Sequence, residues 1–140
     1  MKQYHADNLV IHPGQFQDAN LLVEVTPEIA GWEHIFFQAR TLAAGQMWQH
    51  ETGENELALV LFGGTVAVSS NRGSWSEVGG RAHVFAGLPH SLYLPRNTSF
   101  QVTATTNCEF AVAWTLALSD RKPVLVTPAD VTTEIRGGDN

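Results

Sequence analysis

The sequence predicts a single all-β domain, on three observations. Short β-branched and aromatic runs recur roughly every eight to twelve residues with turn residues between them, a rhythm typical of a sandwich or barrel. Patterns with a helical period are nearly absent. The chain has 140 residues, 44% of them apolar and 16% charged, which suits one folded core.

The strands can be assigned in order. We predict them at residues 32–43, 56–62, 65–69, 81–86, 90–94, 99–105 and 108–116. In the last two, apolar side chains alternate with others, which places them on one face. Residues 70–80 are rich in Gly and Ser and predict an exposed loop, with Trp75 folded back onto the domain. Residues 123–127 are extended, and Thr127-Pro128 has the form of a helix start.

Charge and hydropathy exclude several classes of partner. The chain carries 14 acidic and 8 basic residues, a net charge of −6, and its longest basic cluster is the pair Arg121 and Lys122. Such a surface repels nucleic acid and anionic membranes. The start lacks the apolar stretch of a secretory signal, and the apolar run 57–62 is too short to cross a bilayer. We therefore expect a cytoplasmic protein.

The most informative stretch runs from Gly45 to Gly63. His50 and Thr52 are two residues apart on a strand, so they point to the same side. After a turn, Glu56 returns on the adjacent strand, where it can approach His50. This is the layout of the first cupin motif, with Thr52 in place of the second histidine and the first gap one residue short. It predicts a cupin-type double-stranded β-helix, or jelly-roll barrel.

The second cupin motif matches residues 95–100. Asn97 can adopt the left-handed backbone that the motif's glycine uses, so the turn can form. Phe100 occupies the place of the last histidine and cannot bind a metal. Two of four ligands remain, His50 and Glu56, and catalytic metal sites usually keep three protein ligands.

We therefore expect no metal in this chain, and keep His50 and Glu56 as the only candidate ligands. The simpler expectation is that they hydrogen-bond each other across a hairpin. A metal-dependent oxygenase with further ligands stays an alternative. Catalytic residues are unassigned.

The remaining polar residues show no catalytic pattern. Cys108 is predicted to be a buried, inert thiol. Five histidines read as surface or hydrogen-bonded core residues: His5, His12, His34, His83 and His90. Four arginines could each clamp a carboxylate, and the sequence does not choose among them: Arg40, Arg72, Arg81 and Arg96.

A family resemblance covers nearly the whole chain. The order of GWEHIFFQARTLAAGQ, ENELALVLFGGTVAV, HVFAGLPHSLYLPRNTSFQVTA, CEFAVAWTLA and TPADVTTEIRGGDN resembles the N-terminal half of 5-deoxy-glucuronate isomerases, the bicupin enzymes of myo-inositol catabolism. The most specific segments are 92–95, 108–112 and 128–137. None of them is a catalytic motif, so the likeness is one of fold and family.

The resemblance implies an aldose-ketose isomerisation of 5-deoxy-glucuronate to 2-deoxy-5-keto-gluconate. Such a reaction moves a proton between adjacent carbons by way of an enediolate intermediate. It needs a base to carry the proton and an electrophile to stabilise the enediolate. It also implies that the divalent metal belongs to a second cupin domain. Residues 1–131 would then be the N-terminal cupin domain and 132–140 a linker towards that domain.

Two readings of function follow. In the first, this domain packs against a catalytic cupin and is inactive alone. In the second, it is a free-standing module that binds a small sugar acid without turning it over. The sequence leaves a homodimer open, because cupin barrels can pair through sheet edges.

Overall fold

The computed structural model describes residues 2–138, and its regular elements are nearly all strands. Two helices of four residues each lie near the start, and none in the described part of the chain is long enough to cross a membrane. The elements are α1 Ala6–Leu9, β1 Leu21–Val25, α2 Pro27–Ala30, β2 Phe36–Leu42, β3 Met47–Glu51, β4 Asn55–Gly63, β5 Thr65–Ser70, β6 Gly73–Gly79, β7 Ser91–Leu94, β8 Ser99–Ala104, β9 Cys108–Leu116, β10 Val124–Val126 and a 3₁₀ turn at Pro128–Asp130.

The strands form two antiparallel sheets. One has six strands in the order β1-β2-β9-β4-β7-β10, and the other has four in the order β3-β8-β5-β6. This architecture confirms the predicted all-β, cupin-type barrel.

The core lies between the sheets and follows the two-residue period of the strands. Leu57, Leu59 and Leu61 of β4 are at most 1% exposed. Since successive side chains on a strand alternate, Glu56 and Ala58 lie on the outer face. Other strands contribute inward residues on the same rule, among them Val66, Val68, Val102, Phe110 and Val112.

Two predicted segments are wrong. Residues 70–80 are not a loop: Gly73–Gly79 forms β6, which pairs with β5 after a tight turn in which the Ser70 hydroxyl donates to Gly73 O. Trp75 lies on this strand and packs against the core, as expected. Residues 81–86 are not a strand, because the Arg81 guanidinium donates to the carbonyls of Val84 and Gly87 and folds the segment back on itself.

Other boundaries agree more closely. The predicted strand 32–43 begins only at Phe36, since the Trp32 indole donates to Ile35 O and holds a turn before it. The predicted strand 108–116 is confirmed as β9, and Asn97 has the predicted left-handed backbone with φ of 57°. In the expected linker, residues 132–138 are exposed and irregular, and residues 139–140 lie outside the described residues.

Gly64 makes the crossing from the six-stranded to the four-stranded sheet. Its φ is +83°, and a Cβ there would lie 2.3 Å from Asn107 O. The backbone N–H of Gly64 donates to Arg81 O, so the turn has little room to relax.

We expect Gly64→Ala to lower the free energy of unfolding by at least about 2 kcal/mol, from backbone strain and this clash together. Gly45→Ala is the matched control, because Gly45 has φ of +86° with nothing within 4 Å of its Cβ position. Urea unfolding measures both. If both variants lost the same free energy of unfolding, the chain would have relaxed to avoid the contact between the new Cβ and Asn107 O.

Candidate functional site

The inward end of β3 brings His50 into a set of aromatic rings. Its imidazole stacks on Trp48, with ring centroids 5.1 Å apart, and contacts Trp114 at 5.2 Å. Phe100 lies directly opposite His50 in the β3–β8 pairing and meets it edge-on at 5.9 Å. Three aromatic side chains therefore pack against the imidazole of His50, which is half-buried.

Thr52, at the second histidine position of the motif, makes structural hydrogen bonds. Its side chain is buried, and its hydroxyl donates to Pro95 O at 2.9 Å and accepts from Thr98 N at 2.9 Å. The backbone N–H of Thr52 also donates to Thr98 O. Thr52 thus joins the β3–β4 turn to the β7–β8 turn, which contains Asn97.

The expected hydrogen bond between His50 and Glu56 is wrong. The two residues lie in different sheets, because β3 pairs with β8 while β4 pairs with β7 and β9. Glu56 faces outward, and its Oε2 accepts a hydrogen bond of 2.7 Å from the Tyr93 hydroxyl. Burial and this carboxylate raise the pKa of Tyr93 to about 12. The inward position beside Glu56 is Leu57.

One of the four candidate arginines lies inside the barrel. Arg40 is 4% exposed; its guanidinium pairs with Asp18 and donates to Gln38 Oε1 at 2.8 Å. Gln38 in turn donates to Glu24 at 2.7 Å. The guanidinium carbon lies 4.6 Å from the Trp48 ring centre, a cation–π contact. Sequence reasoning missed this network, since the pairing of Arg40 with Asp18 spans an irregular segment.

Two of the other candidate arginines are engaged elsewhere. Arg72 pairs with Asp120 at 3.1 Å and donates to Arg96 O, while Arg81 holds the segment before β7. Among the arginines with described contacts, Arg40 places its guanidinium next to the aromatic rings around His50.

Burial lowers the pKa of His50, and the positive charge of Arg40 lowers it further against the opposing effect of Glu51. The imidazole is therefore neutral near pH 7, the form that binds metals. The burial of Cys108 likewise raises the pKa of its thiol, as expected of an inert cysteine.

The residues present do not fit a metal ion. His50 has aromatic neighbours where further ligands would stand, and Glu56 is on the far side of the other sheet. Within residues 2–138, no three His, Cys, Asp or Glu side chains are grouped closely enough to hold one. The interior instead holds one neutral imidazole and one paired guanidinium.

We expect Thr52→Val to lower the free energy of unfolding by about 2 kcal/mol, because Thr98 N loses its partner in a buried place and Pro95 O is left with the Thr98 hydroxyl as its donor. Thr103→Val removes a hydroxyl from the outer face of β8 and is expected to change stability little. Thermal or urea unfolding of both variants measures the difference. If Thr52→Val lost no more stability than Thr103→Val, the proposed link between the two turns through the Thr52 hydroxyl would be contradicted.

Stability should also depend on the protonation of His50. The pKa of His50 is lower in the folded chain than its ordinary value of 6.5, so between the two values the unfolded chain binds more protons. The free energy of unfolding should fall as pH drops below about 6.5, and this part of the fall should be absent in His50→Gln. Urea unfolding at a series of pH values would contradict the expectation if both chains lost stability in parallel.

Comparison with known proteins supports the same architecture. The chain matches the KduI/IolB family over residues 9–140. It is 38% identical over 120 residues to a 5-deoxy-glucuronate isomerase of Geobacillus kaustophilus, covering 85% of this chain and 44% of the relative. A second such isomerase, from Geobacillus thermodenitrificans, is 36% identical with the same coverage. The chain spans about half the length of the curated relatives it matches.

Solved structures agree. An IolB-like protein from Salmonella typhimurium LT2 superposes with a TM-score of 0.84 and 28% identity, over 93% of this chain and 50% of that one. A cupin barrel protein from Leptotrichia buccalis shares only the fold, with a TM-score of 0.59 and 11% identity over 94% of this chain and 53% of that one. Fold, family match and the segments shared with the isomerases lead to one assignment: the chain belongs to the KduI/IolB family.

Proposed function

We propose that this barrel is the supporting, N-terminal half of a cytoplasmic two-domain sugar-acid isomerase, and that it performs no chemistry alone. The observation that carries the proposal is the packing of His50 against Trp48, Phe100 and Trp114. In this family fold the inward-facing residues at this place would have to supply a metal site, and here they supply packing.

Aldose-ketose isomerisation requires two chemical groups at one place. A base must carry a proton between adjacent carbons, and an electrophile must stabilise the enediolate. His50 could serve as a base, because its imidazole is neutral. The described interior offers no accessible partner for it: the Thr52 hydroxyl is engaged by two backbone groups, and the Arg40 guanidinium is paired with Asp18.

The missing groups would therefore come from the other half of a full-length protein. The two Geobacillus isomerases are long enough to contain such a half, since this chain covers only 44% of each of them. We place the divalent metal and the substrate's sugar acid there. The role of the present barrel would be to pack against that domain.

The interior network also bears on the alternative of a sugar-acid binding module. A bound carboxylate would need the guanidinium of Arg40, which already has the Asp18 carboxylate as its partner. A ligand would have to displace Asp18 and enter between stacked rings. The paired state of Arg40 therefore favours a supporting role over ligand binding.

The first test is catalytic. The purified 140-residue chain, supplied with manganese or zinc, should give no turnover of 5-deoxy-glucuronate above the uncatalysed rate. The Geobacillus kaustophilus relative is the positive control. Turnover by the chain alone would overturn the proposal, and elemental analysis showing a stoichiometric metal would favour a metal-dependent enzyme.

The second test is binding. We expect no rise in melting temperature of the chain with glucuronate, because a scaffold has no site to couple to unfolding. The Asp18→Asn variant removes the carboxylate partner of Arg40 and is compared with the unaltered chain in the same measurement. Stabilisation of the unaltered chain that rises with glucuronate concentration would identify a binding module instead.

A further inference from the structure

Arg40 is held in place by groups other than Asp18. Its side chain leaves β2 opposite the fully buried Phe110 of β9 and is itself buried. Its Nη1 donates to Gln38, which is fixed in turn by donating to Glu24. On one side the guanidinium lies over the ring of Trp48. The two strands and Trp48 therefore position this cation without help from Asp18.

Asp18 reaches the guanidinium from a less ordered part of the chain. Residues 10–20 form neither helix nor strand, and the side chain of Asp18 is 45% exposed against 5% for that of Arg40. Its Oδ2 accepts a hydrogen bond from Nη2 of Arg40, and its Oδ1 accepts one from the backbone N–H of Asn20. Asp18 thus contacts the buried cation through one oxygen, from the solvent side.

The guanidinium has a donor that is not used. Nε of Arg40 is buried and has no hydrogen-bond partner among the described residues. Nε and Nη2 lie on the same edge of the guanidinium plane, and one carboxylate can accept from both with its two oxygens. Asp18 does not do so, because its second oxygen is engaged by Asn20. The edge can therefore take a two-oxygen contact but has a one-oxygen contact.

Arg81 shows that an unused Nε does not by itself indicate a ligand. Its Nε is also buried without a partner in the described part of the chain, but its other two nitrogens donate to backbone carbonyls, including Leu61 O of β4. A carbonyl within a strand cannot move aside for a ligand. The Asp18 carboxylate can, since a change of side-chain rotamer turns it into solvent.

We propose that the Nε–Nη2 edge of Arg40 is a binding site for small carboxylates, which Asp18 keeps closed by filling it from within the chain. A free carboxylate takes both donors once Asp18 is removed or turns away. In the unaltered chain such a ligand gains one carboxylate contact and loses another, so it brings little net stabilisation. The site goes beyond the supporting role proposed above and does not depend on it.

Replacement of Asp18 by alanine opens the site. The Asp18→Ala chain should melt several degrees below the unaltered chain, because Arg40 is left buried without a carboxylate partner. Sodium acetate should raise the melting temperature of this variant along a saturating curve and restore most of the loss. Sodium chloride at the same ionic strength should not. The unaltered chain should respond alike to both salts.

Two control variants separate this site from a general effect of anions. Asp120→Ala removes the carboxylate from Arg72, whose side chain is 29% exposed and can turn to water. It should show no rise that is specific to acetate. Asp18→Ala combined with Arg40→Gln should show none either, because the guanidinium is gone. If circular dichroism shows that Asp18→Ala is unfolded, Asp18→Asn takes its place, with a smaller rise expected because the amide still fills the site.

The size of the ligand separates a binding site from an ion pair that only completes the fold. Formate and acetate are small enough to fit within the space that the carboxylate of Asp18 leaves. Glucuronate is larger, and it can bind only if the edge opens to solvent where Asp18 is half exposed. We therefore expect glucuronate to stabilise Asp18→Ala as well. Stabilisation by formate and acetate alone would overturn the proposal, because Asp18 would then be a purely structural partner of Arg40.

The absence of any acetate-specific rise in Asp18→Ala would also overturn this site, and would leave the proposed function as it stands. Turnover of 5-deoxy-glucuronate by the chain alone would overturn the proposed function and leave the carboxylate site unaffected. The two proposals therefore fail on different measurements.

Discussion

The alternation of side chains along β4 is the constraint on which the rest of this barrel depends. Leu57, Leu59 and Leu61 must face inward, because together they form the centre of the core between the sheets. Their placement forces Glu56 to the outside, where it meets Tyr93. A one-residue shift in register would exchange the two sets and bury the carboxylate at the cost of the core. Packing thus separates Glu56 from His50, the two candidate ligands, in addition to the absence of histidine at positions 52 and 100.

Interior electrostatics follow from the same arrangement. With the acidic ligand position on the outside, the charged network within the barrel is that of Arg40 and its partners on β1, β2 and the preceding segment. Arg40 is neutralised by Asp18 and lies against Trp48, so its charge is both paired and shielded. Burial of the guanidinium costs desolvation, which its pairing with the partly exposed Asp18 offsets. His50 stays neutral beside it, which keeps a second positive charge out of the core.

The sequence predicted the strands that carry a two-residue period or a clear turn, and it predicted Asn97 in the left-handed conformation. It failed where contacts far apart along the chain decide the structure. Ser and Gly in residues 70–80 looked like a loop, yet hydrogen bonds to β5 make most of them a strand. The spacing from His50 to Glu56 matched a motif, but spacing does not reveal which sheet a strand joins. Thr52 looked like a vacant ligand position, and only its contacts with Pro95 and Thr98 show why a hydroxyl stands there.

The hydroxyl of Thr52 makes the present barrel hard to convert into a metalloprotein by single steps. A histidine at this position would gain one possible ligand but remove the link between two turns, while Phe100 and Leu57 still filled the neighbouring places. Each replacement alone would lower stability without yielding a site, and only several made together could bind an ion. Directed evolution that selects one substitution at a time would therefore have to pass through variants that are less stable and still bind no metal.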